Sequence, residues 1–106
     1  MPVVRATGEL DLATATRLAG AVQDAAARVP RPRVVIDLVD LDFCDSTGLR
    51  ALVGAVKEVE VLGGRAVVAA RPGGPLERLL ELAGLREFLR LCPSADEARE
   101  RLSAKA

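Results

Sequence analysis

The chain contains 106 residues, half of them hydrophobic and 28% of them charged, and its 15 Lys and Arg residues balance its 15 Asp and Glu residues. This length holds one domain with an ordinary core, and the composition is typical of a globular chain rather than a disordered one. The absence of net charge argues against nucleic-acid binding through phosphate contacts, and no apolar run approaches the roughly 20 residues of a membrane span, so we expect no nucleic-acid partner and no membrane span.

Residue types that are missing or scarce exclude several kinds of site. The chain has no histidine, which excludes Ser-His-Asp and Cys-His catalytic units and histidine-bound zinc. It has no Trp or Tyr and only two Phe, which excludes a base-stacking platform. The two cysteines, Cys44 and Cys92, are too few for a disulfide scaffold, and we interpret them as reduced, buried thiols of a cytoplasmic protein.

Helix and strand patterns alternate along the chain. Leu18, Val22 and Ala25 follow helical spacing, whereas the apolar run over residues 34–36 is typical of a strand covered on both faces. Pro75 suits the first position of a helix. The predicted elements, in chain order, are a strand over 3–7, a helix from Asp11 or Thr14 to about Arg28, a strand over 33–39, a helix over 46–62, a strand over 65–70, a helix over 75–83, a weaker strand over 87–91, and a last helix beginning at Pro93 or Ser94, with Ser94 and Glu97 as a capping box.

This alternation places the chain in the α/β class. It predicts a single domain with a mainly parallel sheet of about four strands packed against about four helices. Right-handed crossovers put the loops over residues 8–11, 40–47 and 71–75 at the same end of the sheet. Sites in such folds usually form outside the carboxyl ends of the strands, so the pattern directs attention to one edge of the molecule.

The loop over residues 40–47 carries the densest polar sequence on that edge. Three aspartates precede Ser46, Thr47 and Gly48 there. We expect the Ser46 hydroxyl to cap the second helix, a position that also favours a phosphate group because the helix N-terminus attracts anions. Gly48 has no side chain and lets another chain approach closely. The alternative is that Ser46 is only a cap and that the aspartates are solvated turn residues.

Enzyme sites fit this loop poorly. Residues 44–48 do not match the Gly-x-Ser-x-Gly elbow of serine hydrolases, and the chain has no phosphate-binding P-loop motif. A phospho-aspartate receiver that holds Mg²⁺ with acidic residues at strand ends is the sharper enzyme-like alternative. Arg71 lies near the position where such a site needs a cation, but the expected lysine is missing.

Four segments together resemble the STAS domain, and more narrowly the bacterial anti-sigma-factor antagonists. They are residues 8–11 (Gly-Glu-Leu-Asp), 35–38 (Val-Ile-Asp-Leu), 43–49 (Phe-Cys-Asp-Ser-Thr-Gly-Leu) and 63–68 (Gly-Gly-Arg-Ala-Val-Val). The pentapeptide Asp-Ser-Thr-Gly-Leu alone is a weak signal, but this order and spacing make the resemblance fairly specific. It covers nearly the whole chain and implies a single-domain STAS-like fold.

The resemblance also implies roles for four residues. Ser46 corresponds to the phosphoacceptor serine of the family, and Asp45 and Thr47 flank it. Asp11 corresponds to the aspartate that lies beside the phosphorylation loop. Gly48 is added to this set because, without a side chain, it permits close contact with a partner. These residues form the expected switch and partner-binding site.

A further implication is a binding protein that is not an enzyme and carries no cofactor or metal. The expected partner is an anti-sigma factor that is also a serine-protein kinase of ATPase fold. The unphosphorylated chain binds it and frees the sigma factor, the phosphorylated chain releases it, and a separate phosphatase restores the first state. Members of the family usually carry an additional N-terminal strand before this motif, but only seven residues precede Gly8 here. We therefore expect a sheet edge that is either bare or covered differently, and a monomer or weak dimer. The alternative within the fold is a STAS-type regulatory subunit of a lipid or anion transporter complex, in which the serine need not be phosphorylated.

Overall fold

Strands and helices alternate along the chain in the computed structural model, which describes residues 1–103. Four strands form a parallel sheet in the order β1-β3-β5-β6, and β2 pairs with β4 in a separate two-stranded parallel ribbon. The predicted α/β class, with a small parallel sheet and four helices, is confirmed. The elements are β1 (Val3–Arg5), β2 (Gly8–Leu10), α1 (Leu12–Ala26), β3 (Arg33–Asp37), β4 (Leu41–Cys44), α2 (Ser46–Val61), β5 (Arg65–Ala69), α3 (Pro75–Leu82), β6 (Leu91–Cys92) and α4 (Ala95–Ser103).

Strand β3 is buried on both faces, as its continuous apolar sequence predicts. Val34 and Ile36 belong to the main core, which the sheet shares with α1, α2 and α3. Val35 points to the opposite face and packs with Ala98 and Leu102 of α4. Successive side chains of a strand alternate between faces, so a strand covered on both sides needs apolar residues at every position.

The helices begin close to where their capping signals predict. Helix α3 starts at Pro75, and the Ser94 hydroxyl accepts a hydrogen bond from the Glu97 N–H at 3.1 Å in front of α4. The predicted ends of the first three helices, and of strands β3 and β5, lie one or two residues beyond the observed ends. Within residues 1–103, none of the helices has the length and hydropathy of a membrane-spanning segment.

The ribbon of β2 and β4 corrects two predicted loops. Residues 8–11 and 40–45 were expected to be irregular, but they contain these two strands, which pair in parallel with a bulge after Gly8. Strand β1 accordingly ends at Arg5 instead of residue 7, because the chain turns at Gly8, with φ of +81°, to enter β2. Strands of three and four residues are too short to show an alternating pattern, and their partner lies more than 30 residues away in sequence.

The strand predicted over residues 87–91 is wrong in extent. Residues Arg86–Phe88 form a 3₁₀ turn, closed by a hydrogen bond from the Phe88 N–H to the Leu85 carbonyl at 2.9 Å. Strand β6 contains only Leu91 and Cys92, because pairing begins where the chain reaches the edge of β5. The apolar residues before it have no neighbouring strand, so β propensity alone does not make them a strand.

Candidate functional site

The start of α2 lies directly against the end of β2. The Asp45 N–H donates a hydrogen bond to the Leu10 carbonyl at 3.1 Å. A Cβ atom on Gly48 would lie 2.2 Å from that carbonyl oxygen and 3.1 Å from the Asp11 nitrogen, so only glycine fits at this contact. The third predicted loop, residues 71–75, lines a small cavity together with Leu41 of the segment over residues 40–47. The segments that were predicted to meet at one end of the sheet are therefore neighbours in pairs.

Asp45, and not Ser46, caps helix α2, which corrects the predicted role of the serine. The Asp45 backbone is extended, with φ of −102° and ψ of 171°, and its carboxylate accepts a hydrogen bond from the Gly48 N–H at 2.7 Å. Ser46 is the first helical residue and its side chain is exposed. Because the carboxylate satisfies the helix N-terminus, the Ser46 hydroxyl is free of the capping role.

Asp11 caps the neighbouring helix α1 in the same manner. Its carboxylate accepts a hydrogen bond from the Thr14 N–H at 3.0 Å, and the Thr14 hydroxyl accepts one from the Asp11 N–H at 2.9 Å. Both residues that the sequence offered as caps therefore act together, Asp11 at the cap position and Thr14 three residues later. The hydrogen bonds from Thr14, the backbone one above all, lower the pKa of Asp11, which keeps it a carboxylate at neutral pH.

Acidic side chains surround the two capped helix starts. We call them the acidic rim: Glu9, Asp11, Asp42 and Asp45. Two large apolar side chains next to them are exposed, Leu12 by 60% and Phe43 by 49%. Leu12 and Phe43 are not among the site residues predicted from the sequence. The sequence signal that could have identified them is that each is a large apolar residue outside the predicted core-facing stripes.

Thr47 is exposed beside Ser46, and Gly48 is buried beneath them. Four of the five predicted switch residues therefore lie within one short stretch of surface formed by the starts of α1 and α2. The fifth, Gly48, is buried, and the backbone that approaches it closely is that of Leu10 in β2 of the same chain.

The cysteine at this edge, Cys44, is buried. Burial, and secondarily the charge of Asp45, raises the pKa of the Cys44 thiol to about 11, so the sulfur stays protonated and unreactive at neutral pH. Cys44 and Cys92 are both free and buried, as predicted. Within residues 1–103, no three Asp, Glu, Cys or His side chains lie close enough together to bind a metal ion. The three aspartates of residues 40–45 therefore do not form such a group.

A groove opens beside Ser46 between α2 and the segment that follows α3. Its volume is about 320 Å³. Arg50 lies on its wall and is exposed, and the rest of the lining is largely apolar. We call it the Ser46 groove, and its lining residues are Ser46, Leu49, Arg50, Val53, Ala83 and Leu85.

Comparison with known proteins gives consistent matches. The family profile of the STAS domain matches residues 1–98. An anti-sigma F factor antagonist of Paenibacillus polymyxa is 36% identical over 88 residues, which are 82% of this chain and 74% of the relative. The crystal structure of an anti-sigma factor antagonist from Mycobacterium paratuberculosis is 33% identical, covers 96% of this chain and 85% of its own, and superposes with a TM-score of 0.78. The STAS domain of a SulP transporter from Vibrio cholerae is 16% identical, covers 98% of this chain and 84% of its own, with a TM-score of 0.68, and shares the fold.

Proposed function

The chain belongs to the STAS domain family, and we propose that it is an anti-sigma-factor antagonist whose binding to an anti-sigma factor is switched off by phosphorylation of Ser46. The Paenibacillus polymyxa relative and the Mycobacterium paratuberculosis structure, at 36% and 33% identity, are both named as anti-sigma factor antagonists, which supports this choice within the family. The structural observation that carries the proposal is the exposed Ser46 hydroxyl, which stands at the first position of α2 while Asp45 does the capping.

The partner in this proposal is an anti-sigma factor that also acts as a serine kinase of ATPase fold in the cytoplasm. The Ser46 oxygen attacks the γ-phosphorus of the ATP that the partner binds. The serine O–H proton passes to a base on the kinase, the bond to the β-phosphate oxygen breaks, and ADP leaves. A separate phosphatase adds water across the phosphoester and returns the free hydroxyl with inorganic phosphate.

Phosphorylation changes the charge of the edge more than it changes the fold. The phosphate adds about −1.5 to −2 charges at neutral pH, and the start of α2 tolerates an anion because helix N-termini carry partial positive charge. The partner, by contrast, meets a dianion next to the carboxylates of Asp11 and Asp45. Burying an uncompensated charge in an interface costs several kcal/mol, and a loss of about 3 kcal/mol weakens binding roughly 150-fold.

The decisive experiment locates the phosphate. Incubation of the wild-type protein with a candidate partner kinase and ATP is expected to add one phosphate at Ser46, found by mass spectrometry of proteolytic fragments. The S46A variant should bind the kinase yet gain no phosphate and stay bound when ATP is added. T47A is the matched control, because Thr47 is the neighbouring exposed hydroxyl, and it should still be modified at Ser46. A phosphate on S46A, or none on wild type with a kinase that binds it, contradicts the proposal.

The second candidate function is a regulatory subunit of a lipid or anion transporter complex. The observation in its favour is the fold shared with the SulP transporter domain, which at 16% identity is a similarity of fold alone. In that case the protein co-purifies with a membrane permease, and S46A behaves like wild type in transport. Pull-down with the chain as bait separates the two functions.

A further inference from the structure

Arg50 lies one helical turn after Ser46 on the same helix. Residues at positions i and i+4 of a helix are surface neighbours, and helical side chains lean toward the N-terminus of the helix. The long side chain of Arg50 therefore leans toward Ser46. Both residues are exposed and both line the Ser46 groove, so an anionic group added to the serine enters a space that Arg50 borders.

Arg50 is also free to take a new anionic partner. Among residues 1–103, the ion pairs join Arg5 to Asp37, Arg86 to Glu81 and Arg101 to Glu97. Arg50 takes part in none of them. Arg50 can therefore bind an anion without first breaking an ion pair with a carboxylate.

We propose that Arg50 binds the phosphoryl group of phosphorylated Ser46 and holds it in the Ser46 groove. This inference rests on the proposed function, because it concerns a phosphate at that serine. The planar guanidinium matches phosphate oxygens with paired N–H donors, and the apolar wall formed by Leu49 and Val53 leaves the arginine as the polar side chain that faces the phosphate from within the groove.

The pairing assigns a specific position to the phosphate. Held by Arg50, the phosphoryl group lies at the mouth of the Ser46 groove, next to the acidic rim. Phosphorylation then does two things at once: it adds negative charge to the edge, and it fills the space next to Ser46 that an approaching partner would otherwise reach. Because Arg50 then pairs with the phosphate, it no longer pairs with an acidic side chain of the partner.

The test uses the full chain with phosphoserine incorporated at position 46 during translation, so that no kinase is needed. The second pKa of the phosphate is measured by ³¹P NMR titration in wild type, R50Q, R50K and R99Q. R99Q is the matched control, because Arg99 is an exposed arginine on α4, which covers the other face of the sheet, and its loss changes the net charge equally. Asp11, Asp45 and the first-turn N–H groups are retained in every variant, so the comparison isolates the arginine.

We expect R50Q to raise the phosphate pKa by about 0.3–0.7 pH units, R50K to raise it less, and R99Q to leave it at the wild-type value. The Arg50 side-chain N–H resonance should also shift on phosphorylation, whereas that of Arg99 should not. If R50Q and R99Q titrate alike and the Arg50 resonance does not move, Arg50 does not hold the phosphate. That result leaves the phosphorylation of Ser46 by a kinase untouched, while a kinase that modifies another residue overturns the proposed function and not the pairing.

Discussion

At the first turn of α2, helix capping and the exposed hydroxyl belong to two adjacent residues, Asp45 and Ser46. The Asp45 carboxylate accepts the hydrogen bond from the Gly48 N–H, which leaves the Ser46 oxygen exposed and able to be modified without loss of the cap. A serine that capped its own helix would give up that hydrogen bond on reaction, and the helix start would change with it. The separation of the two roles is the residue-scale reason why phosphorylation is compatible with an unchanged fold.

The carboxylate of Asp11 provides a pH-dependent prediction at the same scale. Its folded-state pKa is lowered below the ordinary value of 3.8 by the hydrogen bonds from Thr14, so the unfolded chain binds the proton more readily. The stabilisation is therefore fully present above about pH 4–5 and is lost as the pH falls through the folded-state pKa.

We expect wild type to exceed D11N in unfolding free energy at pH 7 and to lose that advantage as the pH falls below the ordinary pKa of 3.8 and through the lowered folded-state pKa, because Asn retains the capping geometry but does not titrate. Urea denaturation followed by circular dichroism at a series of pH values measures the difference. A difference between the two proteins that is constant with pH contradicts the assigned cause.

Element packing depends on a backbone contact between α2 and β2. Gly48 lies on the buried side of the first turn of α2, where a side chain would meet the Leu10 carbonyl oxygen at 2.2 Å. Backbone gives way less readily than a flexible side chain, so the helix must shift away from the ribbon if a methyl group is added. The shift would also pull Asp45 away from the Leu10 carbonyl, to which its N–H donates.

G48A is expected to lower the unfolding free energy by about 1–3 kcal/mol, from overpacking at this contact. G54A is the matched control, because Gly54 lies in the same helix with nothing within 4 Å of its Cβ position. That control should gain about 0.5–1 kcal/mol, from the higher helix propensity of Ala. Chemical denaturation of the two variants side by side gives the comparison. Equal unfolding free energies would contradict the claim that the close contact with the Leu10 carbonyl excludes a side chain at position 48.

At the scale of the whole molecule, the uneven distribution of charge determines how strongly an added anion changes the local electrostatic potential. Because the protein carries no formal net charge, the carboxylates of the acidic rim are balanced by cations elsewhere on the surface. A negative group at Ser46 therefore adds to a local excess, while the same group on a distant surface does not.

We expect S46D to weaken binding of the anti-sigma factor about tenfold, less than phosphate does, because one carboxylate carries less charge and bulk. S103D is the control, since Ser103 is exposed on α4, which packs on the other face of the sheet. Isothermal titration calorimetry at low and high salt measures both variants. If S46D binds as tightly as S103D, electrostatic release is contradicted.

Much of this architecture could be predicted because its signals are local. The stripe that contains Leu18 and Val22 identified α1, the apolar run at 34–36 identified a strand covered on both faces, and Pro75 marked the start of α3. The segment from Asp45 to Gly48 identified the candidate site through its residue types and through its order relative to residues 8–11. Each of these signals is contained within one helix, strand or turn.

The sequence by itself determined the α/β class, the parallel sheet and the short stretch of surface that carries Ser46. Tertiary structure alone decided that β2 and β4 pair, that Asp45 is the cap, and that Arg50 and Ser46 share a groove with Ala83 and Leu85. The physical reason is distance along the chain. Periodicity and capping signals act within one element, whereas a strand pair, a backbone contact and a groove exist only when segments far apart in sequence are brought together.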